Sequence, residues 1–405
     1  MAKARSKPSK QAKKAKPAKR AKPVKPAIKA APKSTPAAKP APVVKAAAKS
    51  SLPLLRVGII GAGGIAAKMH LPQLTKIPGV EVTMLAGRKP ERLQRLANLY
   101  GGEIVTDYNR VIDDPRLDAV VVATPHPQHV EWGIKALHAG KHLFMQKPLA
   151  PTIEEANRFV QVVEASPKIT YCLPQLSFPA LENIKQLMAS GALGRISAVH
   201  CRVSHGGPEV YYAEVRDLLG EPPLKPGEKL WFFQAGEASV GALFDMGVYA
   251  VARLVAVLGT ARRVTGFTTI LDKPSEVEDT ATLLVEFKNG ALGTAETGWT
   301  DGARTARISV HGTIGRVEQN GYFDPKLVMH TQASKTREDI PPKRTEILCK
   351  GAYKNPHEQW IDAIRTNTKP TVETARAARH ITEIMLAGLE SAKSGQAVDL
   401  ISTLE

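Results

Sequence analysis

The chain has 405 residues, enough for two domains, and a formal net charge of +18. Residues 1–50 contain sixteen basic residues and no acidic ones, so residues 51–405 hold 40 basic against 38 acidic side chains and form a nearly neutral body. Three widely spaced cysteines (Cys172, Cys201 and Cys349) argue against a disulfide framework and a zinc site, and no apolar run reaches the ~18 residues that cross a bilayer. These features predict a soluble cytoplasmic protein without a membrane segment.

The first element is a basic tail, residues 1–52, built almost entirely from Lys, Ala and Pro. Frequent proline and scarce apolar side chains predict that the tail is disordered. It has neither an apolar core nor the paired arginines of an export signal. Its composition is similar to tails of linker histones, which neutralise phosphates without reading bases. Non-specific contact with a polyanion or nucleic acid is one interpretation, and a purely solubilising tail is the other.

The next elements are typical of a dinucleotide-binding βαβ unit. Residues 54–60 form an apolar run of strand length, and the sequence GAGGIA follows it and opens a helical pattern. In this G-x-G-x-x-A pattern, Gly61 permits a tight turn, Gly63 lets the backbone approach a pyrophosphate, and the small Ala66 allows close packing of helix on strand. We therefore expect cofactor contacts from Gly61, Gly63, Gly64, Ile65 and Ala66.

The end of the second predicted strand, residues 80–86, bears on the choice of cofactor. An NAD site usually places Asp or Glu here to bind the ribose 2′-hydroxyl, but this chain has Gly87, Arg88 and Lys89. Gly87 leaves room for a 2′-phosphate, and Arg88 can grip it with paired, charge-assisted hydrogen bonds. The sequence favours NADP, with NAD as the alternative if the two cations only form a basic surface turn.

Two further predicted strands end in polar segments. Residues 119–123 lead into Thr124, Pro125 and His126, and residues 142–145 lead into the sequence Gln146-Lys147-Pro148. Because ligands of such folds bind beyond the carboxyl ends of the strands, both segments should face the nicotinamide. The sequence therefore predicts cofactor contacts from Thr124, Pro125, His126 and Lys147.

In the second half, the segment GALFDMGVYAVARL (residues 241–254) places Asp245 and Tyr249 four residues apart in an apolar run. On a helix this spacing puts the carboxylate and the phenol on one face, one turn apart. A chemical pair is one interpretation. The alternative is a capping Asp245 followed by a core aromatic.

Three segments together resemble the glucose–fructose oxidoreductase/inositol dehydrogenase/MocA (Gfo/Idh/MocA) family: GIIGAGGIAAKMH, ATPHPQHVEWGIKALHAGKHLFMQKPLA and GALFDMGVYAVARLVAVLG. The likeness extends from about Leu54 to Leu400. It implies an α/β fold with an N-terminal Rossmann domain, residues 53–174, and a C-terminal α/β domain, residues 175–405. The second domain would contain a large, mostly antiparallel sheet that walls the substrate site and joins subunits into a dimer or tetramer.

The resemblance also implies roles for individual residues. The catalytic lysine of the family's Glu-Lys-Pro motif maps onto Lys147, and its Asp-x-x-x-His motif maps onto Asp245 and Tyr249. The chain departs from the pattern at Gln146, which replaces the usual Glu, at Tyr249, which replaces the usual His, and at residues 171–180, which lack the frequent Asn and Arg. Tyrosine at this position is similar to an NADP-preferring subgroup that includes glucose–fructose oxidoreductase, dimeric dihydrodiol dehydrogenase and NADP-dependent xylose dehydrogenases.

These residues suggest a mechanism of hydride transfer between nicotinamide and a secondary alcohol or carbonyl. We expect Tyr249 to act as the acid/base, because a nearby ammonium favours phenolate, Lys147 to polarise the substrate oxygen, and Asp245 to hold the geometry. The alternatives are that Lys147 is the proton carrier, with its pKa lowered by burial, or that Lys147 is only a surface residue. Further expected substrate contacts are His129, Gln146 and Trp299.

The sequence thus predicts an NADP-dependent oxidoreductase acting on a sugar, a polyol or a related small molecule. A non-catalytic, nucleotide-sensing regulator on the same fold is one alternative, and an NAD-assisted glycoside hydrolase is another. No two His or Cys residues have ligand spacing alongside a carboxylate, so no metal site is expected.

Overall fold

The computed structural model describes residues 52–225, 230–235, 241–321, 324–337 and 339–405. The predicted disorder of the basic tail therefore lies outside the described residues, apart from Leu52. Within the described ranges, no helix is both long enough and apolar enough to cross a membrane.

The first sheet has six parallel strands in the order β3-β2-β1-β4-β5-β6. Their bounds are β1 Leu55–Ile60, β2 Val80–Ala86, β3 Glu103–Val105, β4 Ala119–Val122, β5 His142–Met145 and β6 Thr170–Cys172. The strand order reverses between β1 and β4, and dinucleotides bind at the carboxyl ends of strands at such a switch point. The predicted Rossmann fold is confirmed.

Helices lie between these strands: a π-helical turn Ala66–His70 that continues into α1 Leu71–Leu74, then α2 Pro90–Tyr100, α3 Asn109–Asp113, a 3₁₀ turn His126–Gln128, α4 His129–His138 and α5 Ile153–Ala165. The bounds of β2 and β5 are those predicted. Helix α4 ends at His138, and Gly140, two residues later, has a φ of 72° that does not continue the helix.

The second sheet has nine strands in the order β14-β13-β12-β11-β7-β10-β9-β8-β15. Their bounds are β7 Ile196–Ser204, β8 Ala261–Thr269, β9 Thr280–Phe287, β10 Leu292–Gly298, β11 Ala306–Gly312, β12 Gly315–Asn320, β13 Lys326–Thr331, β14 Lys343–Leu348 and β15 Val398–Asp399. Neighbours are antiparallel except for β7 and β10, which run parallel. The expectation of a large, mostly antiparallel sheet is confirmed.

The second half also contains α6 Pro179–Ala189, α7 Pro208–Leu219, a 3₁₀ turn Trp231–Phe233, a π-helical turn Leu243–Gly247, α8 Val248–Leu258, α9 Pro356–Thr366 and α10 Ala375–Ser394. Buried and exposed residues alternate along β9, so one face of the sheet is covered. Apolar side chains of α8 and α10, including Val251, Leu254, Ile381 and Ile384, share a core with the inward residues of these strands.

Helix α9 returns to the first sheet. Its Trp360 and Ile361 belong to the apolar cluster around β1 and β4, and Gln359 accepts a hydrogen bond from the hydroxyl of Tyr171 on β6. The sequence places these helical residues in the second domain, yet they complete the core of the first sheet. The proposed boundary between residues 174 and 175 stays a prediction.

Candidate functional site

A cleft of about 810 Å³ lies at the carboxyl ends of the first-sheet strands, where they meet the π-helical turn Leu243–Gly247 and the start of α8. It brings together most of the residues expected from the sequence. Those lining it are Gly61, Gly63, Gly64, Ile65, Arg88, Lys89, Thr124, Pro125, His126, Gln146, Lys147, Asp245 and Tyr249. Ala66 lies beneath the loop, fully buried.

The glycine loop has the space that a pyrophosphate requires. Gly61 has a φ of 87°, and a Cβ added there would lie 2.5 Å from the backbone nitrogen of Thr124, so only glycine fits. A Cβ added to Gly63 would meet nothing nearer than the Gly61 carbonyl oxygen at 3.8 Å. The surface above Gly63 is therefore open, and the helix N-terminus that follows favours an anion there.

The end of β2 presents cations to the cleft. Arg88 and Lys89 are exposed and line it, whereas Arg92 is engaged by Glu221 through hydrogen bonds of 2.6 and 2.5 Å. Gly87 has a second role that differs from the one expected, because a Cβ there would lie 2.9 Å from Leu93 Cδ2. Its small size is needed for packing against α2 as well as for room in the cleft.

Lys147, Asp245 and Tyr249 form a compact cluster at the inner end of the cleft. Lys147 follows β5, and its Nζ lies 3.1 Å from Asp245 Oδ1 and 2.5 Å from the Asp245 backbone oxygen. The same Nζ lies 4.9 Å from the ring centroid of Tyr249. Lys147 is only 8% exposed, so it is not a surface lysine. Tyr249 is half-buried and faces the cleft.

The second carboxylate oxygen of Asp245 is held from the other sheet. Trp299 Nε1 donates to Oδ2 at 3.0 Å, and His205 Nε2 lies 3.6 Å from the same oxygen. His205 directly follows β7, and Trp299 directly follows β10. The two strands are parallel neighbours whose last residues, Ser204 and Gly298, are paired. Asp245 is therefore bound by side chains on both sides and is not a helix cap.

The ionisation of this cluster follows from opposing effects. Burial raises the pKa of the Asp245 carboxyl, but Lys147 and His205 lower it by a larger amount. The pKa of Asp245 therefore lies well below its ordinary value. Burial lowers the pKa of the Lys147 ammonium, but Tyr249 and Asp245 more than offset this, so its pKa is raised. The lowered pKa required for Lys147 as the proton carrier is therefore not found.

Two expected substrate contacts lie behind the cleft instead of on its surface. Trp299 is fully buried and orients Asp245. His129 is also fully buried, with Nδ1 2.7 Å from the Pro148 carbonyl oxygen and Nε2 2.9 Å from that of Thr124. His129 thus links the polar segment that follows β4 to the one that follows β5. The spacing of residues along the chain could not reveal this link.

His126 does line the cleft. Its ring packs edge-on against Trp231 and Phe232, and burial holds its pKa well below 6.5, so the imidazole is neutral. Its Nδ1 and the hydroxyl of Thr124 are buried without a hydrogen-bond partner among the described residues. Both atoms are available to a ligand.

Gln146 supports the turn that carries Lys147. Its Oε1 accepts from the backbone nitrogen of Lys147 at 2.7 Å, and its Nε2 lies 3.1 Å from His70 Nε2. His70 Nδ1 in turn lies 2.7 Å from His357 Nε2. Sequence reasoning could not find this buried chain of hydrogen bonds, because its members lie far apart in the chain.

Sequence reasoning also missed an aromatic wall of the cleft, formed by Tyr211, Tyr212, Trp231 and Phe232. The sequence does contain one indication of this wall. Two pairs of adjacent aromatic residues, at 211–212 and 231–232, occur in a chain with only 5% aromatic residues. In the described part of the chain, no group of three or more His, Cys, Asp or Glu side chains could hold a metal ion.

Comparison with known families agrees with this geometry. Residues 55–172 match the profile described as "Oxidoreductase family, NAD-binding Rossmann fold", and residues 181–318 match the "GFO/IDH/MocA C-terminal domain".

Similar curated proteins include sugar-converting enzymes. Levoglucosan dehydrogenase of Pseudarthrobacter phenanthrenivorans is 30% identical over 311 residues, which cover 66% of this chain and 73% of that protein. D-xylose 1-dehydrogenase (NADP(+)) 2 of Haloferax volcanii is 27% identical over 351 residues, covering 85% and 99% respectively.

Solved structures show the same fold. A levoglucosan dehydrogenase in complex with NADH and L-sorbose aligns with a TM-score of 0.69 at 21% identity, over 87% of this chain and all of that one. GenD2 from gentamicin A biosynthesis, in complex with NAD, aligns with a TM-score of 0.68 at 22% identity, over 89% of this chain and all of that one. The chain belongs to the GFO/IDH/MocA family of oxidoreductases, whose first domain is an NAD-binding Rossmann fold.

Proposed function

We propose that the protein is an NADP-dependent oxidoreductase that interconverts a secondary alcohol and a carbonyl on a sugar, polyol or related small molecule. The observation that carries this proposal is the Lys147–Asp245–Tyr249 cluster at the inner end of a cleft that begins at the glycine loop. Such a cluster can position a substrate oxygen and move one proton.

The bound dinucleotide supplies the hydride chemistry, and the protein supplies orientation and proton transfer. In the direction of reduction, the Tyr249 hydroxyl would donate its proton to the carbonyl oxygen of the substrate. The Lys147 ammonium stabilises the resulting phenolate and polarises the substrate oxygen. Asp245 keeps this ammonium in place. In the direction of oxidation, the same proton returns to Tyr249 from the alcohol.

The preference for NADP rests on the end of β2. Arg88 and Lys89 line the cleft there, and residues 87–90, directly after the strand, include no carboxylate. A guanidinium binds a phosphate through paired hydrogen bonds and gains little from a plain ribose hydroxyl. The similarity to an NADP-named xylose dehydrogenase supports this choice.

The substrate class is supported by the relatives, several of which are named for sugars. The decisive experiment is a turnover screen of sugars and polyols with NADP⁺ and NAD⁺. We expect turnover that Lys147→Ala abolishes and that Lys135→Ala retains, since Lys135 contacts Glu131 and the Trp132 ring and does not line the cleft. Binding of NADPH without turnover of any compound would favour a nucleotide-sensing regulator. Failure to bind either dinucleotide would overturn the proposal.

Three further properties are part of the proposal. The protein is a homo-oligomer, dimer or tetramer, joined through the uncovered face of the second sheet. It works in the cytoplasm, in keeping with three unpaired cysteines. Its basic tail contacts polyanions without sequence preference. Deleting residues 1–50 should abolish salt-sensitive DNA binding and leave the affinity for NADPH unchanged. Salt-independent DNA binding by the truncated protein would contradict the role of the tail.

A further inference from the structure

Helix α7 lies directly over the glycine loop. A Cβ added to Gly64 would lie 3.2 Å from Val215 Cγ1 and 3.4 Å from the hydroxyl oxygen of Tyr211. Any side chain at position 64 would therefore press against α7. The helix can lie this close to the loop because residue 64 is a glycine. The neighbouring Gly63, in contrast, faces open space.

Side chains hold α7 at several points around the cleft. Arg92 on α2 binds Glu221, just beyond the end of α7, and Arg95 donates to the carbonyl oxygen of Leu219. Near the middle of the helix, Glu214 pairs with Lys68, beside the glycine loop. Glu214 also pairs with Arg304, in the turn that follows β10. These contacts join α7 to both ends of the predicted dinucleotide site.

The hydroxyl of Tyr211 is the polar group that α7 presents to the loop. Its oxygen is buried and has no hydrogen-bond partner among the described residues, and the side chain lines the cleft. The Lys68 ammonium lies 4.9 Å from the centre of the Tyr211 ring. Burial raises the pKa of Tyr211, so the hydroxyl keeps its proton and can donate. A buried donor without a partner is costly, and an anionic oxygen at this place would satisfy it.

We infer that Tyr211 is a cofactor-binding residue whose hydroxyl donates a hydrogen bond to the pyrophosphate of the dinucleotide. This assignment rests on the dinucleotide site proposed above and adds a contact from the second half of the chain. The glycine loop binds one side of the pyrophosphate through backbone N–H groups, and Tyr211 closes the other side.

The experiment measures dissociation constants of NADPH and NADH for the full chain by fluorescence titration. Tyr211→Phe keeps the ring and removes only the hydroxyl. Tyr100→Phe is the matched control, because Tyr100 ends α2 and is not among the residues that line the cleft. Loss of a hydrogen bond to a charged group should weaken binding by about tenfold or more. The effect should be equal for both dinucleotides, which share the pyrophosphate, and absent in Tyr100→Phe.

Several results would overturn the assignment: affinities of Tyr211→Phe within about twofold of wild type, an equal loss in Tyr100→Phe, or a loss confined to NADPH, which would indicate the 2′-phosphate instead. If the wild type itself binds neither dinucleotide, the proposed function fails together with this inference. If the wild type binds and Tyr211→Phe binds equally well, only the role of Tyr211 fails.

Discussion

The Nζ of Lys147 and the Oδ1 of Asp245 lie 3.1 Å apart although the two residues are 98 positions apart in the chain. One follows a strand of the parallel sheet, and the other lies in the π-helical turn that begins the first helix covering the second sheet. The cluster therefore exists only when both halves of the protein have folded against each other.

Removing the carboxylate of this pair should be costly. Asp245→Asn leaves the buried Lys147 ammonium without its counter-charge, and breaking one partner of a buried ion pair typically destabilises by about 3–5 kcal/mol. Chemical denaturation should show this loss, and steady-state kinetics should show a fall in kcat of about 10²-fold or more. The double variant Lys147→Met/Asp245→Asn should be less destabilised than Asp245→Asn alone. A simple sum of the two single effects would refute the coupling.

The pH dependence of the same pair has a definite sign. The folded-state pKa of Asp245 is depressed, so its contribution to stability is present above its ordinary pKa of about 4 and is lost as the pH falls toward the depressed value. The folded-state pKa of Lys147 is raised, so its contribution is present below about 10.4 and is lost at higher pH. The difference in unfolding free energy between wild type and the double variant Lys147→Met/Asp245→Asn, which lacks both charged groups, should therefore be constant from about pH 5 to 9. A titration near neutrality would contradict this account.

Buried histidines should make the fold sensitive to acid. Burial lowers the pKa of His129 and His380 to about 4 and that of His357 to about 3. Their neutral forms stabilise the fold fully above about pH 6.5, and this stabilisation is lost as the pH falls through the lowered values. Each histidine adds a slope of about 1.4 kcal/mol per pH unit to the free energy of unfolding.

One variant isolates a single member of this group. His357→Phe preserves the stack on Phe144, whose ring centroid lies 4.5 Å away, but removes one titrating ring. Denaturation experiments between pH 4 and 6.5 should show that the free energy of unfolding changes less steeply with pH than in wild type. The difference in slope should correspond to one proton, about 1.4 kcal/mol per pH unit. The exposed His138→Gln should leave the slope unchanged. A wild type whose stability is flat across this range would rule out the explanation.

Selectivity for NADP should depend on Arg88. Arg88→Ser removes the guanidinium and should weaken NADPH binding by about 10- to 100-fold, as expected for loss of charge-assisted hydrogen bonds. Binding of NADH should change little, so the ratio of the two dissociation constants is the measurement. Arg110→Ser is a suitable control, because Arg110 is exposed and pairs only loosely with Glu103 at 3.6 Å. An equal effect on both dinucleotides would mean that Arg88 does not contact the 2′-phosphate.

The parts of the fold that sequence reasoning predicted are those with a strong local pattern. The buried strands β2 and β5 and the loop from Gly61 to Ala66 are examples, because apolar runs and glycine spacing are visible within a few residues. Strand β3, with three residues and only partial burial, has too little pattern to detect. The π-helical turn around Asp245 was read as an ordinary helix, since a widened turn has no sequence signature.

The parts of the site that escaped prediction depend on contacts between distant residues. His205 and Trp299 meet at Asp245 because β7 and β10 are parallel neighbours, an arrangement that periodicity along either strand does not encode. Tyr211 reaches the glycine loop only because α7 folds back over it. Trp299 and His129 are predicted to contact the substrate, but both are fully buried and lie behind the cleft.

Helix α9 has a consequence for how the protein is made. His357 reaches His70 across 287 positions, and the fully buried Trp360 packs against Phe144 of β5. Synthesis proceeds from the N-terminus, and the nucleotide-binding half emerges from the ribosome long before these partners exist. Nascent chains stalled before residue 356 should therefore be cleaved readily by protease within residues 55–172, and chains that include α9 should resist. The parallel sheet is synthesised before the second sheet, yet its core is complete only after α9 has been synthesised.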